Sequence, residues 1–536
     1  MKIKRMILIA LAAVAGSAAA QAAQPPQKQA PLNVLLIIAD DLGIGDVGCY
    51  GSKWLETPNI DRLAAEGVRA TDAHASAAVC TPSRYAILSG RYFHRYSPCH
   101  GLGEALIEAD RPTIASVFRD NGYTTGYFGK THTGWGEPRE DRKHSNDIDW
   151  NSELPRGVLE MGFDKFFGTP RSHNEPPYVF VEDRHVIGLD PADPLKIVLQ
   201  KEAKAQGLVN WGWGASIGAK KAHEARPVKE IDRIVTDKVI EFIGKVAGTP
   251  STPSTHSAHS ASSGISSSSG QAGSGQRKPF FINLAYVAPH VPTYPSEQFR
   301  GTSKLGWYGD CVEQMDWYIG RVLQALETHG LMDNTLIIFT SDNGAIFHKE
   351  YLEQGQDSNL GLLGQKTDVW EGGMRVPLIV RWPGHIPAGS TVEPLISLVD
   401  LSKTAWAAAG ITAPEGASPD ALNQLDLITG KSTDAIRTEL YMTGIAGAAL
   451  RSGDWVYIPQ QGSAGISTLK SATWANQINE LGQANSDYDA DGTIKADAPD
   501  AQLYNLRTDP RQSTNVIREH PEKAAELAER FKQVKN

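Results

Sequence analysis

Three short aliphatic runs constrain the fold of this 536-residue chain more than any other feature of its sequence. They are residues 34–39 (VLLIIA), 280–287 (FFINLAYV) and 336–340 (LIIFT), and polar residues follow each run closely. Such runs predict strands that are buried on both faces, as in a parallel sheet covered by helices. Residues 59–67 and 310–329 lie between these runs and carry helix signals. We therefore predict an α/β fold with a large, mostly parallel sheet sandwiched by helices.

The polar residues after these runs are types that bind metal ions or anions. Asp40 and Asp41 follow the first run, His290 follows the second, and Asp342 and Asn343 follow the third. In open α/β sheets, ligands bind outside the carboxyl ends of the strands. These positions are therefore the first candidates for a functional site.

Residues 1–22 have the pattern of an export signal. Lys2, Lys4 and Arg5 precede an apolar stretch, and a small-x-small cleavage pattern ends at Ala22. The apolar stretch is too short to span a bilayer comfortably. We therefore expect cleavage of the signal and a periplasmic or secreted protein that has no membrane contact afterwards.

The composition excludes several classes of protein. Hydrophobic residues make up 41% of the chain and charged residues 21%, which is typical of a globular protein rather than a disordered or fibrous one. The net charge of −9 disfavours a nucleic-acid-binding protein, because such proteins present basic surfaces. Four cysteines are too few for a disulfide framework. In an oxidising compartment two of Cys49, Cys99 and Cys311 could still pair, and the sequence leaves that pairing open.

Two changes in composition divide the chain. Residues 251–276 contain eleven serines and four glycines, and predict a flexible surface insert that cannot bury enough apolar area to become ordered. From residue 438 the pattern changes to short antiparallel strands, and a helix over 521–534 closes the chain. We predict a main domain over residues 31–437 and a smaller C-terminal α+β subdomain over residues 438–536.

The most informative motif covers residues 80–91, CTPSRYAILSGR. Cys80 is expected to begin a helix, where the dipole and the free N–H groups lower the pKa of a thiol, and Arg84 lies one turn later on the same side. This segment closely resembles the sulfatase signature C-x-P-S-R-x-x-x-L-x-G-R, in which the cysteine is oxidised after translation to formylglycine. Residues 122–132, GYTTGYFGKTH, resemble the second sulfatase signature, G-Y-x-T-x-x-x-G-K-x-H. Thr131 stands where that signature usually has tryptophan, which we expect to alter the pocket wall rather than the chemistry.

Further segments between residues 33 and 384 are similar to the same family. They include NVLLIIADDLGIGDVGCYG at 33–51, IIFTSDNGA at 337–345 and GQKTDVWEGGMRVPLIVRWPG at 364–384. The chain thus resembles the formylglycine-dependent sulfatases, which include the arylsulfatases and belong to the alkaline phosphatase superfamily. The resemblance implies an alkaline-phosphatase-like catalytic domain over residues 31–437, and export favours a carbohydrate sulfatase.

The resemblance implies a divalent cation, with calcium favoured over magnesium. Its ligands would be Asp40, Asp41, Asp342, Asn343 and the modified side chain of Cys80. Adjacent carboxylates repel each other unless a cation neutralises them, and oxygen ligands suit calcium or magnesium better than zinc.

The resemblance also implies a mechanism. A maturation enzyme would convert Cys80 to formylglycine, whose hydrate attacks sulfur, expels the alcohol and leaves a covalent sulfate hemiester. Asp342 would accept the proton of the attacking hydroxyl, His132 would be the base that releases sulfate, and His290 would protonate the leaving oxygen. The cations that hold the sulfate would be Arg84, Lys130 and Lys366.

These residues predict an exported sulfatase that hydrolyses O-sulfate esters, with sulfated polysaccharides or oligosaccharides as its substrates. Three alternatives stay open: a phosphonate or phosphodiester hydrolase of the same superfamily, an arylsulfatase of small substrates, and a sulfated-glycan-binding protein in which Cys80 is never converted. Residues 171–175 are weaker candidates for a sugar subsite. Glu371 and Arg375 are expected to pair behind Lys366.

Overall fold

The computed structural model describes residues 30–96, 106–136, 148–208, 214–248, 277–468 and 478–535. The predicted export signal, the predicted serine-rich insert and Cys99 lie outside the described residues. Cys49 and Cys311 are free thiols, so these two are not joined to each other. Across the described ranges, no helix is both long and apolar enough to cross a membrane.

Strands and helices alternate through much of the described chain. The strands are β1 (Asn33–Asp40), β2 (Val68–Ala70), β3 (Ala73–His74), β4 (Thr124–Lys130), β5 (Lys165–Thr169), β6 (Val181–Glu182), β7 (His185–Val186), β8 (Lys196–Leu199), β9 (Gly214–Ile217), β10 (Phe280–Pro289), β11 (Thr335–Ser341), β12 (Leu378–Arg381), β13 (Ser390–Val392), β14 (Ile396–Ser397), β15 (Glu439–Thr443), β16 (Ala448–Ser452), β17 (Trp455–Ile458) and β18 (Gln502–Asn505). The helices are α1 (Pro58–Ala65), α2 (Cys80–Ser89), α3 (Ile114–Asp120), α4 (Gln200–Ala205), α5 (Lys220–Ala225), α6 (Ile231–Val246), α7 (Gly306–Thr328), α8 (Lys349–Glu353), α9 (Glu371–Met374), α10 (Leu401–Ala408), α11 (Leu425–Ile428) and α12 (Pro521–Lys535).

The central sheet of the described part has ten strands, in the order β13–β2–β12–β11–β1–β10–β4–β5–β6–β7. Its middle strands, β11, β1, β10, β4 and β5, are all parallel. Antiparallel neighbours, β12 on one side and β6 on the other, flank this parallel group. The predicted mostly parallel sheet is therefore confirmed, with mixed pairing toward its edges.

Successive residues of β1 pack into different cores, which explains why its sequence is continuously apolar. Val34, Leu36 and Ile38 belong to the core on one face, with side chains of α2, α3 and α10. Leu35 and Ile37 belong to the core on the other face, with side chains of α1, α6 and α7. Side chains of a strand alternate between its two faces, so a strand covered on both faces needs apolar residues at every position.

A second, antiparallel sheet of strands β15–β16–β17–β18 lies in the C-terminal part of the chain. Helix α12 packs into its core through Leu527 and Phe531, and the same core contains Ala78 and Trp370. The predicted antiparallel strands and closing helix are confirmed. Because Ala78 and Trp370 come from the first part of the chain, the two sheets share buried surface, and the division at residue 437 stays a prediction.

The register of the parallel strands places their polar ends at one edge of the central sheet. Asp40 is level with Pro289 of β10, and Ala39 is level with Ser341 of β11. The residues that directly follow β1, β10 and β11 therefore emerge side by side. These are the polar residues that the sequence marks as site candidates.

A buried ion pair joins α10 to the segment that enters β15. Arg437 donates hydrogen bonds from Nε and Nη2 to Asp400 at 2.8 and 2.5 Å, and from Nη1 to the hydroxyl of Tyr92 at 2.9 Å. Both charged side chains are buried. Removing one partner of a buried pair leaves the other charge without compensation in a low-dielectric environment.

We predict that Arg437→Met lowers the free energy of unfolding by about 3–5 kcal/mol, as measured by urea unfolding. Arg507→Met is the matched control, because Arg507 pairs with Asp454 at the surface and such pairs contribute about 0–1 kcal/mol. The double variant Arg437→Met/Asp400→Asn should recover part of the loss, since no unpaired charge is then buried. A double variant no more stable than Arg437→Met would contradict this explanation.

Candidate functional site

The predicted site residues meet at the carboxyl edge of the central sheet. Asp40 ends β1 and Lys130 ends β4, while His290 directly follows β10. The other members lie on α2 or on the loops around it and are buried as well. The complete set is Asp40, Asp41, Cys80, Arg84, Lys130, His132, His290, Asp342, Asn343 and Lys366.

Helix α2 delivers Cys80 and Arg84 to this edge. Cys80 is the first residue of the helix, as predicted, and Arg84 follows one turn later. Arg84 donates from Nε to Asp342 at 2.9 Å and from Nη1 to the carbonyl oxygen of Lys130 at 3.0 Å, and its Nη2 lies 3.6 Å from Asp40. One guanidinium thus joins the ends of three strands through its fixed fork of donors.

Two lysines neutralise the adjacent carboxylates that follow β1. Lys130 Nζ lies 2.5 Å from Asp40, and Lys366 Nζ lies 2.7 Å from Asp41. The side-chain amide of Asn343 donates to Asp41 at 2.8 Å. Each of these carboxylates is therefore bound by a cation on a different part of the chain.

The donor set at this edge fits a divalent cation. Ligand atoms of Asp40, Cys80 and Asp342 lie within 4.8 Å of one another. Oδ1 of Asp40 and Oδ1 of Asn343 are buried without a hydrogen-bond partner among the described residues. Buried acceptor oxygens without a partner are costly, and hard cations such as calcium and magnesium bind such oxygens. The cluster therefore includes acidic residues and a buried cysteine capable of binding a metal ion.

The three carboxylates of the cluster differ in pKa. Burial opposes ionisation of Asp40 and Asp41, but Lys130 and Lys366 outweigh it and hold both pKa values below the usual range. Burial raises the pKa of Asp342 to about 8, although Arg84 opposes the shift. Asp342 is therefore the carboxylate of this cluster that takes up a proton most readily.

Cys80, His132 and Glu175 lie in a row, with a hydrogen bond between the first two and an ion-pair contact between the last two. Cys80 Sγ lies 3.2 Å from His132 Nδ1, and His132 Nε2 lies 3.3 Å from Glu175. Burial alone would raise the pKa of Cys80, but Lys130 and His132 lower it to about 6. Burial also opposes protonation of His132, yet Cys80 and Glu175 raise its pKa to about 9. The row thus favours a negative charge at position 80 beside a protonated imidazole.

Glu175 is a site residue whose role the sequence did not reveal. The sequence predicts only a weak sugar subsite over residues 171–175, whereas the structure places the Glu175 carboxylate behind His132. Backbone bonds from Thr131 N to the Thr169 carbonyl and from His132 N to the Pro170 carbonyl hold the two loops together. No motif marks this contact, because it depends on how the loop after β5 folds back.

His290 and Lys366 complete the site. His290 Nδ1 lies 2.6 Å from the Val291 carbonyl oxygen, so Nδ1 carries the proton and Nε2 faces Asp41 at 3.6 Å. Burial, with Lys366 nearby, lowers the pKa of His290 to about 4. Backbone bonds from Lys366 N to Ala345 and from the next residue to Ala78 fix the loop that carries the lysine.

A buried charge network lies behind the Lys366 loop. Glu371 contacts His74 at 3.0 Å and Arg375 at 2.5 Å, so the expected pair of Glu371 and Arg375 is present. Asp72 connects this pair to the antiparallel sheet, because it contacts Arg375 at 3.2 Å and Arg451 at 2.6 Å. The network therefore ties the C-terminal sheet to the loop region that positions Lys366.

We predict that Glu371→Gln lowers the free energy of unfolding by about 3–5 kcal/mol at pH 7, because it breaks a buried charge network. Burial opposes ionisation of Glu371, but His74 and Arg375 hold its pKa well below the usual value. The stability that this carboxylate supplies is therefore complete above the unfolded pKa of about 4.3 and declines as the pH falls below it.

Unfolding measured from pH 7 to pH 3 tests this prediction. The difference between wild type and Glu371→Gln should narrow below about pH 4.3. Glu529→Gln is the control, since Glu529 is an exposed residue that pairs with the exposed Lys532 at 3.4 Å, and this variant should differ little from wild type in free energy of unfolding at every pH. If the difference in free energy of unfolding between wild type and Glu371→Gln stayed constant down to pH 3, the ionised Glu371 carboxylate would not be the source of that stability.

Known proteins with similar sequences point to one family. The family model described as Sulfatase matches residues 32–411. An N-acetylgalactosamine-6-O-sulfatase of Bacteroides thetaiotaomicron is 31% identical over 518 residues, which cover 94% of this chain and 93% of that protein. A steryl-sulfatase of Rattus norvegicus is 35% identical over 437 residues, which cover 74% of this chain and 70% of that protein.

A solved structure supports the same relationship. It comes from work on the metabolism of multiple glycosaminoglycans by Bacteroides thetaiotaomicron and superposes with a TM-score of 0.77 at 31% identity. The match covers 95% of this chain and 99% of the other. The similarity therefore extends over both sheets of the fold.

Proposed function

Because the chain belongs to the sulfatase family, it is a sulfuric ester hydrolase, and we propose that it removes O-sulfate groups from sulfated polysaccharides or oligosaccharides. The observation that carries this proposal is the single buried cluster that holds Cys80, the paired carboxylates and three cations. The relative named an N-acetylgalactosamine-6-O-sulfatase supports a glycan substrate, since the match covers nearly the whole of both proteins. A sulfated N-acetylgalactosamine is accordingly the first substrate to test.

We propose that a maturation enzyme oxidises Cys80 to formylglycine, whose hydrated aldehyde supplies the hydroxyl that attacks sulfur. His132 lies 3.2 Å from the Cys80 sulfur and is placed to hold or remove a proton at residue 80. Glu175, on the other side of the imidazole, orients His132 and stabilises its protonated form. A ligand atom of Asp342 lies within 4.8 Å of the Cys80 sulfur, so its carboxylate is placed to accept the proton of the attacking hydroxyl.

Three cations are placed to bind the sulfate group. Arg84, Lys130 and Lys366 approach the cluster from a helix, a strand end and a loop, and all three are buried. Fixed positive charges in a site that excludes water stabilise the negative charge that develops on sulfate oxygens. His290 directs Nε2 toward the cluster, because its Nδ1 donates to a backbone carbonyl. It would protonate the leaving oxygen from Nε2 as the imidazolium, which takes its second proton from solvent and is stabilised by the anionic sulfate beside it.

The cation that we propose for the site is calcium. Asp40, Asp41, Asp342 and Asn343 would supply oxygen ligands, together with the modified side chain of residue 80. When bound, the ion would neutralise the carboxylates and polarise the groups that react. Several carboxylates and an amide favour calcium over magnesium, which usually retains more of its water.

We propose that the enzyme acts in the periplasm or outside the cell. The basic start, the short apolar stretch and the small-x-small pattern within residues 1–22 support this location. Large sulfated glycans outside the cytoplasm are substrates that an exported hydrolase can reach.

Substitution of Cys80 tests the chemistry. We predict that Cys80→Ala and Cys80→Ser abolish multiple turnover, because neither side chain can provide a hydrate that reforms the aldehyde and releases sulfate. Cys49→Ser is the matched control, since that thiol lies outside the site and the variant should keep its activity. Sulfate release is measured by ion chromatography after mass spectrometry has confirmed formylglycine in the wild-type tryptic peptide of residues 70–84.

The same assay uses chondroitin 6-sulfate, sulfated algal glycans, an aryl sulfate and an aryl phosphodiester. Release of sulfate from a glycan supports the proposal, whereas hydrolysis of the aryl sulfate alone would indicate a small-substrate arylsulfatase. Cleavage of the phosphodiester without sulfate release would favour the phosphodiesterase alternative. Appreciable multiple turnover by Cys80→Ser would contradict the mechanism.

Removal of the metal tests the cation site. We predict that a chelator abolishes activity, that calcium restores it, and that calcium at 100 times its dissociation constant raises the free energy of unfolding by about 2.7 kcal/mol. Asp41→Asn and Asn343→Leu should weaken calcium binding in titration calorimetry. Calcium-independent activity, or equal calcium affinity in wild type and Asp41→Asn, would contradict the site.

A further inference from the structure

Two exposed aromatic side chains contact each other and have no part in the mechanism above: Tyr294, four residues after His290, and Trp307, at the start of α7. Tyr294 is 38% exposed and Trp307 is 44% exposed, and their ring centroids are 6.1 Å apart. The guanidinium of Arg300 lies 5.3 Å from the centroid of the Trp307 ring. Exposed aromatic surface with a polar rim is typical of a binding surface.

This aromatic surface, formed by Tyr294 and Trp307, borders the site through Tyr294. Tyr294 lines the same cavity as His290, His173 and Asp232. His290 is the residue placed to protonate the leaving oxygen, so this cavity is on the side of the site where the alcohol portion of the substrate lies. A glycan that extends beyond the sulfated sugar on this side would pass over the aromatic surface.

The segment that carries the aromatic surface is fixed by buried polar groups. The Asp310 carboxylate accepts hydrogen bonds from Gly301 N and Ser303 N, both at 2.9 Å. Gln314 accepts a hydrogen bond from Ser296 N at 2.7 Å. Rings held in place before binding lose little conformational entropy when a ligand packs on them.

Two cations and one exposed carboxylate flank the aromatic surface. Glu297 pairs with Lys229 at 2.8 Å and with Arg300 at 3.0 Å, so two cations share one carboxylate. Lys229 also lines the cavity beside His290. This excess of positive charge complements a glycan that carries carboxylate or sulfate groups along its length.

We propose that Tyr294, Trp307 and Arg300 form a subsite for the sugar adjacent to the sulfated one. The rings pack against the C–H face of that sugar, and Arg300 contacts its anionic group. The enzyme therefore prefers sulfated oligosaccharides to the sulfated monosaccharide. This inference rests on the proposed function and adds that the enzyme recognises at least two neighbouring sugars of the glycan.

The test compares kcat/KM for chondroitin 6-sulfate fragments of one, three and five sugars, each with N-acetylgalactosamine 6-sulfate at its non-reducing end. Wild type should hydrolyse the trisaccharide with a kcat/KM about tenfold above that of the monosaccharide, the effect expected for one good aromatic contact. The ratio of kcat/KM for the trisaccharide to kcat/KM for the monosaccharide should fall toward one in Trp307→Ala, Tyr294→Ala and Arg300→Gln. The main cause should be a higher KM for the longer fragments.

Trp317→Ala is the matched control for these variants. Trp317 is 45% exposed, lies on the same helix as Trp307 and carries its own arginine contact, with Arg321 at 5.5 Å. Its ring contacts among the described residues are Phe299 and Tyr318, so unlike Trp307 it is not joined to Tyr294, which lines the cavity beside His290. The preference for the trisaccharide should therefore persist in Trp317→Ala.

Three outcomes would overturn the subsite. The first is a wild-type kcat/KM that is equal for the trisaccharide and the monosaccharide, and the second is a loss of trisaccharide preference in Trp317→Ala as large as that in Trp307→Ala. The third is a fall in kcat/KM in Trp307→Ala that is the same for every fragment. Calorimetric binding of the same fragments to Cys80→Ala and Cys80→Ala/Trp307→Ala separates this inference from the proposed function. Tighter binding of the trisaccharide that depends on Trp307 supports the subsite even if wild type releases no sulfate. Binding that does not change with fragment length overturns it.

Discussion

The burial of three carboxylates at one edge of the central sheet is the constraint on which the site depends. Asp40, Asp41 and Asp342 lie together with almost no exposure to solvent, and their mutual repulsion has to be compensated. Arg84, Lys130 and Lys366 each contact one of them directly. Asp41 also has a positive φ of 65°, a sparsely populated backbone conformation for aspartate. Such strain persists only where the surrounding structure holds the residue in place.

The compensating cations come from separate parts of the fold, so the site depends on tertiary packing throughout the molecule. Arg84 lies on α2, Lys130 on β4, and Lys366 on a loop bonded to Ala345 and Ala78. Behind that loop, the network of Glu371 and Arg451 reaches the antiparallel sheet. The C-terminal sheet therefore supports the edge that carries the candidate site, although it contributes none of the predicted site residues.

In the mechanism and the subsite that we propose, catalytic chemistry and substrate selection occupy different surfaces of the protein. The cluster around residue 80 is small, charged and buried, which suits the sulfate group common to all substrates of the family. The aromatic surface of Tyr294 and Trp307 is exposed, and Tyr294 lines the cavity beside His290. Separation of this kind allows the sugar that is recognised to change while the residues that cleave the ester stay the same.

The sequence by itself determined much of the central fold and the identity of the candidate site residues. Strands buried on both faces must be apolar at every position, so β1, β10 and β11 could be recognised from short aliphatic runs. The spacing of Cys80 and Arg84 within its signature indicated the chemistry, and the polar residues after the strands indicated the edge at which it takes place. Such patterns can be recognised from the sequence alone, because they consist of residues that are close together along the chain.

Only the tertiary structure decided which side chains meet. Lys366 pairs with Asp41 across 325 positions of sequence, and Arg84 pairs with Asp342 across 258. Likewise, no sequence motif predicts the contact of Glu175 with His132 or the aromatic pair of Tyr294 and Trp307. Such contacts arise from the register of parallel strands and from the path of loops. Those depend on the packing of the whole chain, and no local run of residues encodes them.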